Sequence, residues 1–282
     1  MHLLALSNDN NEMFDLSLER DNWHHTMEKL NLFPSSKNKN TLTRYKFDEE
    51  IDGVLYFAKN KEFFLKTEKY IRSTGVVCYP SISKLSKVLN KHLLLGSVLN
   101  SLYQNNEKCA DYTWYCQSKY ENYSSVEKKI HLFIKNEKYK NKRYTICKSY
   151  NDLFICNSYN LQDIDYYNTM GLTIKELFNS ETFIDVIFIG HKVFAKKYYK
   201  EKGCYLDYVL SEKMLNLCKR IKKLSGVTLL QIVFIVKNDN YYLIRLDPFP
   251  IIPKIAKREY CKYITDKMKF VEKKVKLNKG KK

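Results

Sequence analysis

Arg245 and Asp247 stand two residues apart, with Pro248, Phe249 and Pro250 directly after them. A guanidinium and a carboxylate so close can pair with each other, or the guanidinium can take a phosphate. The overall charge points to anions as well. Lysine and arginine number 49 against 31 acidic residues, a formal net charge of +18, and only seven of the 49 are arginine (20, 44, 72, 143, 220, 245, 258). Direct base readout and bidentate phosphate recognition favour arginine. The lysine surplus travels with abundant Asn, Tyr and Ile, and it favours a site for a small, heavily phosphorylated ligand over a sequence-specific nucleic-acid surface. The eight cysteines (78, 109, 116, 147, 156, 204, 218, 261) make no CxxC and pair with no suitably spaced histidine, so they are expected to be reduced structural thiols. Neighbouring His24 and His25 would point different ways on a helix and cannot chelate together.

The elements that must position Arg245 and Asp247 lie in Ser211 to Pro250. Ser211 is an expected N-cap, and Met214, Leu217, Cys218, Ile221 and Leu224 recur at helical spacing with Lys219, Lys222 and Lys223 between them. Gly226 sits where a helix end takes a left-handed residue. The apolar, β-branched run Val227 to Val236 predicts a buried strand, residues 237–240 a turn, and Tyr241 to Leu246 a second strand ended by the prolines. Arg245 and Asp247 are thus expected at that strand's exit.

In chain order, MHLLALS predicts a strand, Leu16 to Leu32 an amphipathic helix, and PSSKNKN, 34–40, a loop. Strand Gly53–Phe57, helix Lys61–Arg72 and strand Gly75–Cys78 alternate as in a parallel-stranded, Rossmann-like lobe. Ile82 to Leu99 reads as helix, interrupted at 90–92, and Tyr103 to Lys129 as loop with short helix. Ile130–Ile134, Tyr144–Lys148 and Leu153–Cys156 predict an antiparallel sheet. Thr182–Ile189 and Val193–Ala195 form a hairpin around Gly190-His191, and Ile255–Ile264 a helix. Half the residues from Lys267 to Lys282 are lysine, which predicts a solvated, frayed end, with contact to anionic lipid or RNA as the alternative.

A length of 282 residues and 44% hydrophobic content support a globular chain of one large or two modest domains. No apolar run approaches the ~20 residues that span a bilayer, and MHLLALSNDN turns polar too soon for a signal peptide, so an intracellular place, cytoplasmic or nuclear, is expected. Oligomeric state has no signature here.

The stretch from Gly226 onward resembles the ATP-grasp fold, and more closely the inositol trisphosphate and tetrakisphosphate kinase family. There a helix leads into Gly-Val-Ser-Leu-Phe-Gly-hydrophobic-Asp, then a hairpin, then Asp-Ile-Asn-x-Phe-Pro. This chain has GVTLLQIV at 226–233 and RLDPFP at 245–250. IDGVLYFAK at 51–59, YIRSTGVVCYPSISKLSKVLNK at 70–91, YTICK at 144–148, KELFNS at 175–180 and DVIFIGHKVF at 185–194 are similar to further family segments in the same order. The resemblance covers roughly residues 50–255.

The resemblance implies an α+β, mixed α/β chain of ATP-grasp fold, with two antiparallel-sheet lobes sandwiching a nucleotide after a small Rossmann-like lobe. The expected divisions are 1–80, which looks short of the family's first strand, then 81–174, 175–265 and a basic tail, 266–282. It implies ATP and Mg2+ as cofactors and inositol phosphates as partners. Lys91, Lys148, Lys175 and Glu176 are assigned to the nucleotide, Lys59 and Arg245 to substrate phosphate, Lys197 to catalysis and Asp247 to the metal. The implied activity is ATP-dependent phosphoryl transfer to a hydroxyl of an inositol tris- or tetrakisphosphate.

Several positions depart from the pattern. Val233 and Arg245 replace two metal-binding carboxylates, and Asp247 replaces the family's Asn. Asp185 aligns with a substrate lysine, Ser180 with the hinge His, and the loop after Lys148 has no glycine. These departures favour the alternative of an inactive pseudoenzyme that binds nucleotide or inositol phosphate, or acts as a scaffold. A basic nucleic-acid-binding protein is the third reading and rests on charge alone.

Overall fold

In the computed structural model the described residues are 1–7, 26–31, 47, 51–58, 61–89, 91–110, 114–116, 143–147, 153–157, 173–176, 182–199 and 202–280. The first lobe is a parallel sheet of β1 (His2–Ser7), β2 (Thr26–Asn31), β3 (Gly53–Phe57) and β4 (Val77–Tyr79), in the order β2-β1-β3-β4. Leu3 to Leu6 and Val54 to Phe57 are buried without alternation, as in a sheet covered on both faces. The crossover from β3 to β4 is α1 (Lys61–Thr74), which buries Phe63, Phe64 and Ile71. One expectation fails here. Residues 26–31 do not end a helix but form β2, paired parallel with β1 along its whole length, because a partner strand overrides weak helical periodicity. The loop expected at 34–40 lies outside the described residues.

The frayed end expected from Lys267 is also corrected, since α5 (Lys257–Lys279) runs through it. Tyr260, Ile264, Met268, Val271 and Val275 recur at helical spacing and are all buried. The helix packs on β3 and β4, so the C-terminal segment is part of the first lobe's core. Its last turn is tied down by Lys279, whose Nζ lies 2.7 Å from Asp52 Oδ1, while His2 N donates to Asp52 Oδ2 at 2.8 Å. Burial would raise the Asp52 pKa, but the Lys279 ammonium and the His2 amide hold it below the usual value. The lysines lie on the helix face away from the core, so composition alone resembles a disordered tail.

Close packing of α5 requires Gly53. A Cβ there would sit 2.5 Å from Val271 Cγ1 and 2.9 Å from Leu3 Cδ2. Val271 is β-branched and fully buried, so it cannot swing away. Gly53→Ala should therefore cost about 2 kcal/mol by overpacking, read as a lower urea midpoint at unchanged m-value. An unchanged midpoint would show that β3 and α5 are farther apart than described.

The middle of the chain supplies α2 (Ile82–Leu89), α3 (Lys91–Tyr103) and a 3-10 turn at Lys108–Ala110. It also supplies β5 (Trp114–Cys116), β6 (Arg143–Cys147), β7 (Leu153–Asn157) and β8 (Thr173–Glu176), which form an antiparallel sheet in the order β5-β8-β6-β7. The strand expected at 130–134 lies outside the described residues.

The third unit is an antiparallel sheet in the order β11-β10-β9-β12-β13. Its strands are β9 (Thr182–Ile189), β10 (Lys192–Tyr199), β11 (Cys204–Asp207), β12 (Leu229–Lys237) and β13 (Asn240–Asp247), with α4 (Glu212–Ser225) between β11 and β12. Local signals succeed here. Ser211 Oγ accepts from Met214 N at 3.3 Å, and Gly226 ends α4 at φ 72°. Asn238 and Asp239, at φ 49° and 58°, form the tight turn that matches the twist of a two-residue hairpin. Glu107, before the 3-10 turn, forms an ion pair with Arg220 of α4. No helix among the described residues is long and apolar enough to cross a membrane.

Candidate functional site

Strand register assembles the site. Asp207, Lys196, Asp185, Val233 and Arg245 are directly opposite one another across all five strands, β11 to β13. Gln231 is opposite both Ile187 and Asp247 one step along. Side chains two residues apart on a strand share a face, so Asp185, Gln231, Arg245 and Asp247 face the same way. A β-bulge between Val233 and Phe234 leaves Ile244 without an opposite residue. Arg245 and Asp247 therefore keep this orientation independently of the hairpin beyond the bulge.

Asp185 is the most perturbed group in the row. Gln231 Nε2 donates to its Oδ2 at 3.1 Å, while its Oδ1 is buried and has no partner among the described residues. Burial raises the Asp185 pKa, and the Arg245 guanidinium and the Gln231 hydrogen bond pull it part of the way back. Asp247 is occupied differently, since its Oδ1 accepts from Phe249 N at 3.2 Å and shapes the turn into Pro248 and Pro250. Beside the row lies a cavity of about 460 Å3, lined on its polar side by Asp185, Lys196, Tyr205, Asp207 and Gln231.

The residues named from sequence fare unequally. Arg245 and Asp247 lie at the exit of β13, where the sequence pattern puts them. Lys197 does not join them. It pairs with Ile184 rather than Asp185, which puts it on the other face, and its Nζ lies 5.2 Å and 5.6 Å from the ring centres of Tyr199 and Tyr208. The lysine in the charged row is its neighbour, Lys196, which the sequence reading missed. Pairing counted back from the two-residue turn at Gly190-His191 would have found it, because 189 opposite 192 puts 185 opposite 196. Lys91 opens α3, and Lys175 and Glu176 end β8 opposite Thr145 and Tyr144. The side chains of these three, and Lys59 and Lys148 altogether, lie outside the described residues.

The donor set does not fit Mg2+. The three positions that the resemblance assigns to metal are an isopropyl group at Val233, a cation at Arg245 and a single carboxylate at Asp247. Val233 is only 4% exposed, so water cannot easily stand in for its missing oxygen. Among the described residues no three His, Cys, Asp or Glu side chains gather at one point. A small divalent ion needs near-octahedral oxygen donors, and a guanidinium occupies the place of one. Charges have in effect changed places: a carboxylate stands at 185 where a lysine is implied, and a cation at 245 where a carboxylate is implied. Burial pushes the thiols of Cys109 and Cys218 up to about 12, which keeps these two protonated at neutral pH.

No protein family model matches this sequence, and no curated protein does. Solved structures do match in fold. A RimK domain ATP-grasp protein from Sphaerobacter thermophilus aligns at a TM-score of 0.60 and 10% identity, over 94% of this chain and 98% of that one. The macrocyclase MdnC of Microcystis aeruginosa, bound with its precursor peptide MdnA, gives 0.56 and 14%, over 93% and 98%. D-alanine–D-alanine ligase from Bacillus anthracis, complexed with ATP, gives 0.56 and 13%, over 99% of both chains. These similarities carry the ATP-grasp part of the sequence resemblance and do not extend to its inositol phosphate part. A parallel first lobe, a central antiparallel sheet and a five-stranded antiparallel sheet, matched end to end in this way, identify the chain as having the ATP-grasp fold.

Proposed function

We propose that this protein binds ATP through its ATP-grasp fold but has lost metal-assisted phosphoryl transfer, and that it acts as a nucleotide-binding pseudoenzyme. The observation that carries this reading is the row Asp185, Val233, Arg245, an apolar group and a cation at positions to which the sequence resemblance assigns carboxylates. The triphosphate would be neutralised by Lys91, Lys148 and Lys175, with Glu176 assigned to the nucleotide away from its phosphates and Lys59 and Arg245 to further phosphate groups. Phosphoryl transfer relies on positioning and on metal neutralisation of developing charge. A chain without the metal keeps the binding and loses most of the rate.

A second reading, an ATP-dependent ligase or kinase, draws on the Asp185 oxygen that has no partner among the described residues and on Asp207 and Asp247, carboxylates of the same sheet face. Under this reading the acceptor would be the part left open, with an inositol phosphate hydroxyl as the one implied by sequence.

Thermal unfolding separates the two. ATP at about 100 times its dissociation constant should raise the melting temperature by about 5 °C, corresponding to ~2.7 kcal/mol. The rise should be the same in EDTA and in Mg2+, with no ADP formed. A larger shift with Mg2+, or ADP release in the presence of an inositol tetrakisphosphate, would establish the second reading instead. No shift with ATP under either condition would sink both.

A further inference from the structure

We propose that a cavity at the carboxyl end of β4 binds a small organic acid with a flat apolar body, an aromatic or acyl carboxylate. The cavity, about 280 Å3, opens between β4, the start of β12 and α5. It shares no lining residue with the one beside Asp185. In open α/β sheets, ligands bind outside the carboxyl ends of parallel strands, and Tyr79 is the last residue of β4.

The walls are mostly apolar. Val227, Leu229 and Phe249 line the cavity with the rings of Tyr79 and Phe270, which meet edge-on at 5.8 Å. Charge at the lining has one sign only, since Lys84 and Lys274 contribute to it and no acidic residue does. A third ammonium, Lys267 Nζ, sits 5.1 Å from the Tyr79 ring centre and 5.0 Å from that of Tyr263.

The hydroxyls at this place are engaged with one another. Tyr79 Oη is 3.0 Å from Thr228 Oγ1 and 3.0 Å from Tyr263 Oη, and the last two are 2.8 Å apart. Each hydroxyl has one proton to give, so a closed ring of three bonds uses all three protons. A guest therefore finds its charged donors in the lysine ammonium groups rather than in these three hydroxyls. This combination suits one anionic group held by lysines and an apolar body against the rings. It does not suit a polyphosphate, whose many charged oxygens would face apolar walls.

Isothermal titration of the full chain with 2-naphthoate and with its uncharged analogue 2-naphthamide tests the proposal. The acid should bind one-to-one and at least about tenfold more tightly than the amide, since only the acid meets the lysines. A Lys84→Gln/Lys274→Gln variant, with both changes at exposed lysines, should lose about tenfold for the acid, keep the amide affinity and keep its melting temperature. Saturating ATP should leave the acid's affinity unchanged, so the result stands apart from the pseudoenzyme reading. Equal affinity for acid and amide, no binding at millimolar concentration, an unaffected double variant, or displacement of the acid by ATP would each overturn the proposal.

Discussion

Truncation after Asp266 should unfold the first lobe instead of trimming a loose end. The cut removes Met268, Val271 and Val275, of which the first two are fully buried and the third is 5% exposed, and it uncovers the faces of β3 and β4 beneath them. Burying such side chains contributes about 1.5–3 kcal/mol each. The loss is thus about 5 kcal/mol before the uncovered strands are counted, comparable with the whole stability of many domains. Circular dichroism and urea unfolding of the truncated chain should show loss of the cooperative transition or a midpoint far below that of the intact protein. A Lys262→Gln/Lys273→Gln control, which removes two exposed charges from the same helix, should shift stability by no more than about 0.5 kcal/mol per site. A truncated chain as stable as the intact one would mean that α5 does not pack on the lobe.

Arg245→Asp should change the ionic requirement of the site. The guanidinium is the charge that offsets the burial of Asp185. Its replacement leaves carboxylates at 185, 245 and 247 on one sheet face with no cation between them. Without metal, the Asp185 pKa should rise further, through burial and like charge together. A carboxylate whose folded pKa is raised destabilises the fold in its ionised form. The cost is therefore absent below the ordinary value of 3.8 and grows as pH rises through the raised one. At neutral pH it should amount to about 1–2 kcal/mol, kept modest because position 245 is exposed. Millimolar Mg2+ should restore most of the lost melting temperature in the variant and leave the parent protein unmoved, because binding to the folded state alone is stabilising. Equal Mg2+ responses in the two proteins would remove the argument that Arg245 stands in the metal's place.

Legibility differed along the chain for identifiable reasons. The hairpin β12–β13 and helix α4 were readable almost to the residue, because an N-cap serine, a left-handed glycine and a two-residue turn are local devices whose energetics depend on neighbours in sequence. Residues 26–31 were misread because a parallel strand draws its stability from a partner elsewhere in the chain. The helix expected at 255–264 continues, because the lysines beyond Lys267 conceal three buried residues, Met268, Val271 and Val275, that carry on the spacing of Tyr260 and Ile264. Lys196 was passed over for Lys197 because alignment to a family pattern tolerates a shift of one residue, whereas a β-sheet does not: one step moves a side chain to the opposite face.

Sequence by itself determined the ATP-grasp architecture and which side chains stand at 185, 233, 245 and 247, since motif order and residue identity survive without coordinates. Only the tertiary structure decided that those four positions share one sheet face, that Asp185 holds a buried oxygen without a partner among the described residues, and that the lysine-rich end belongs to the first lobe. Each of these depends on which elements are adjacent and in what register, and adjacency between residues as distant as Asp185 and Gln231, 46 positions apart, or Asp52 and Lys279 is set by the packing of the whole core.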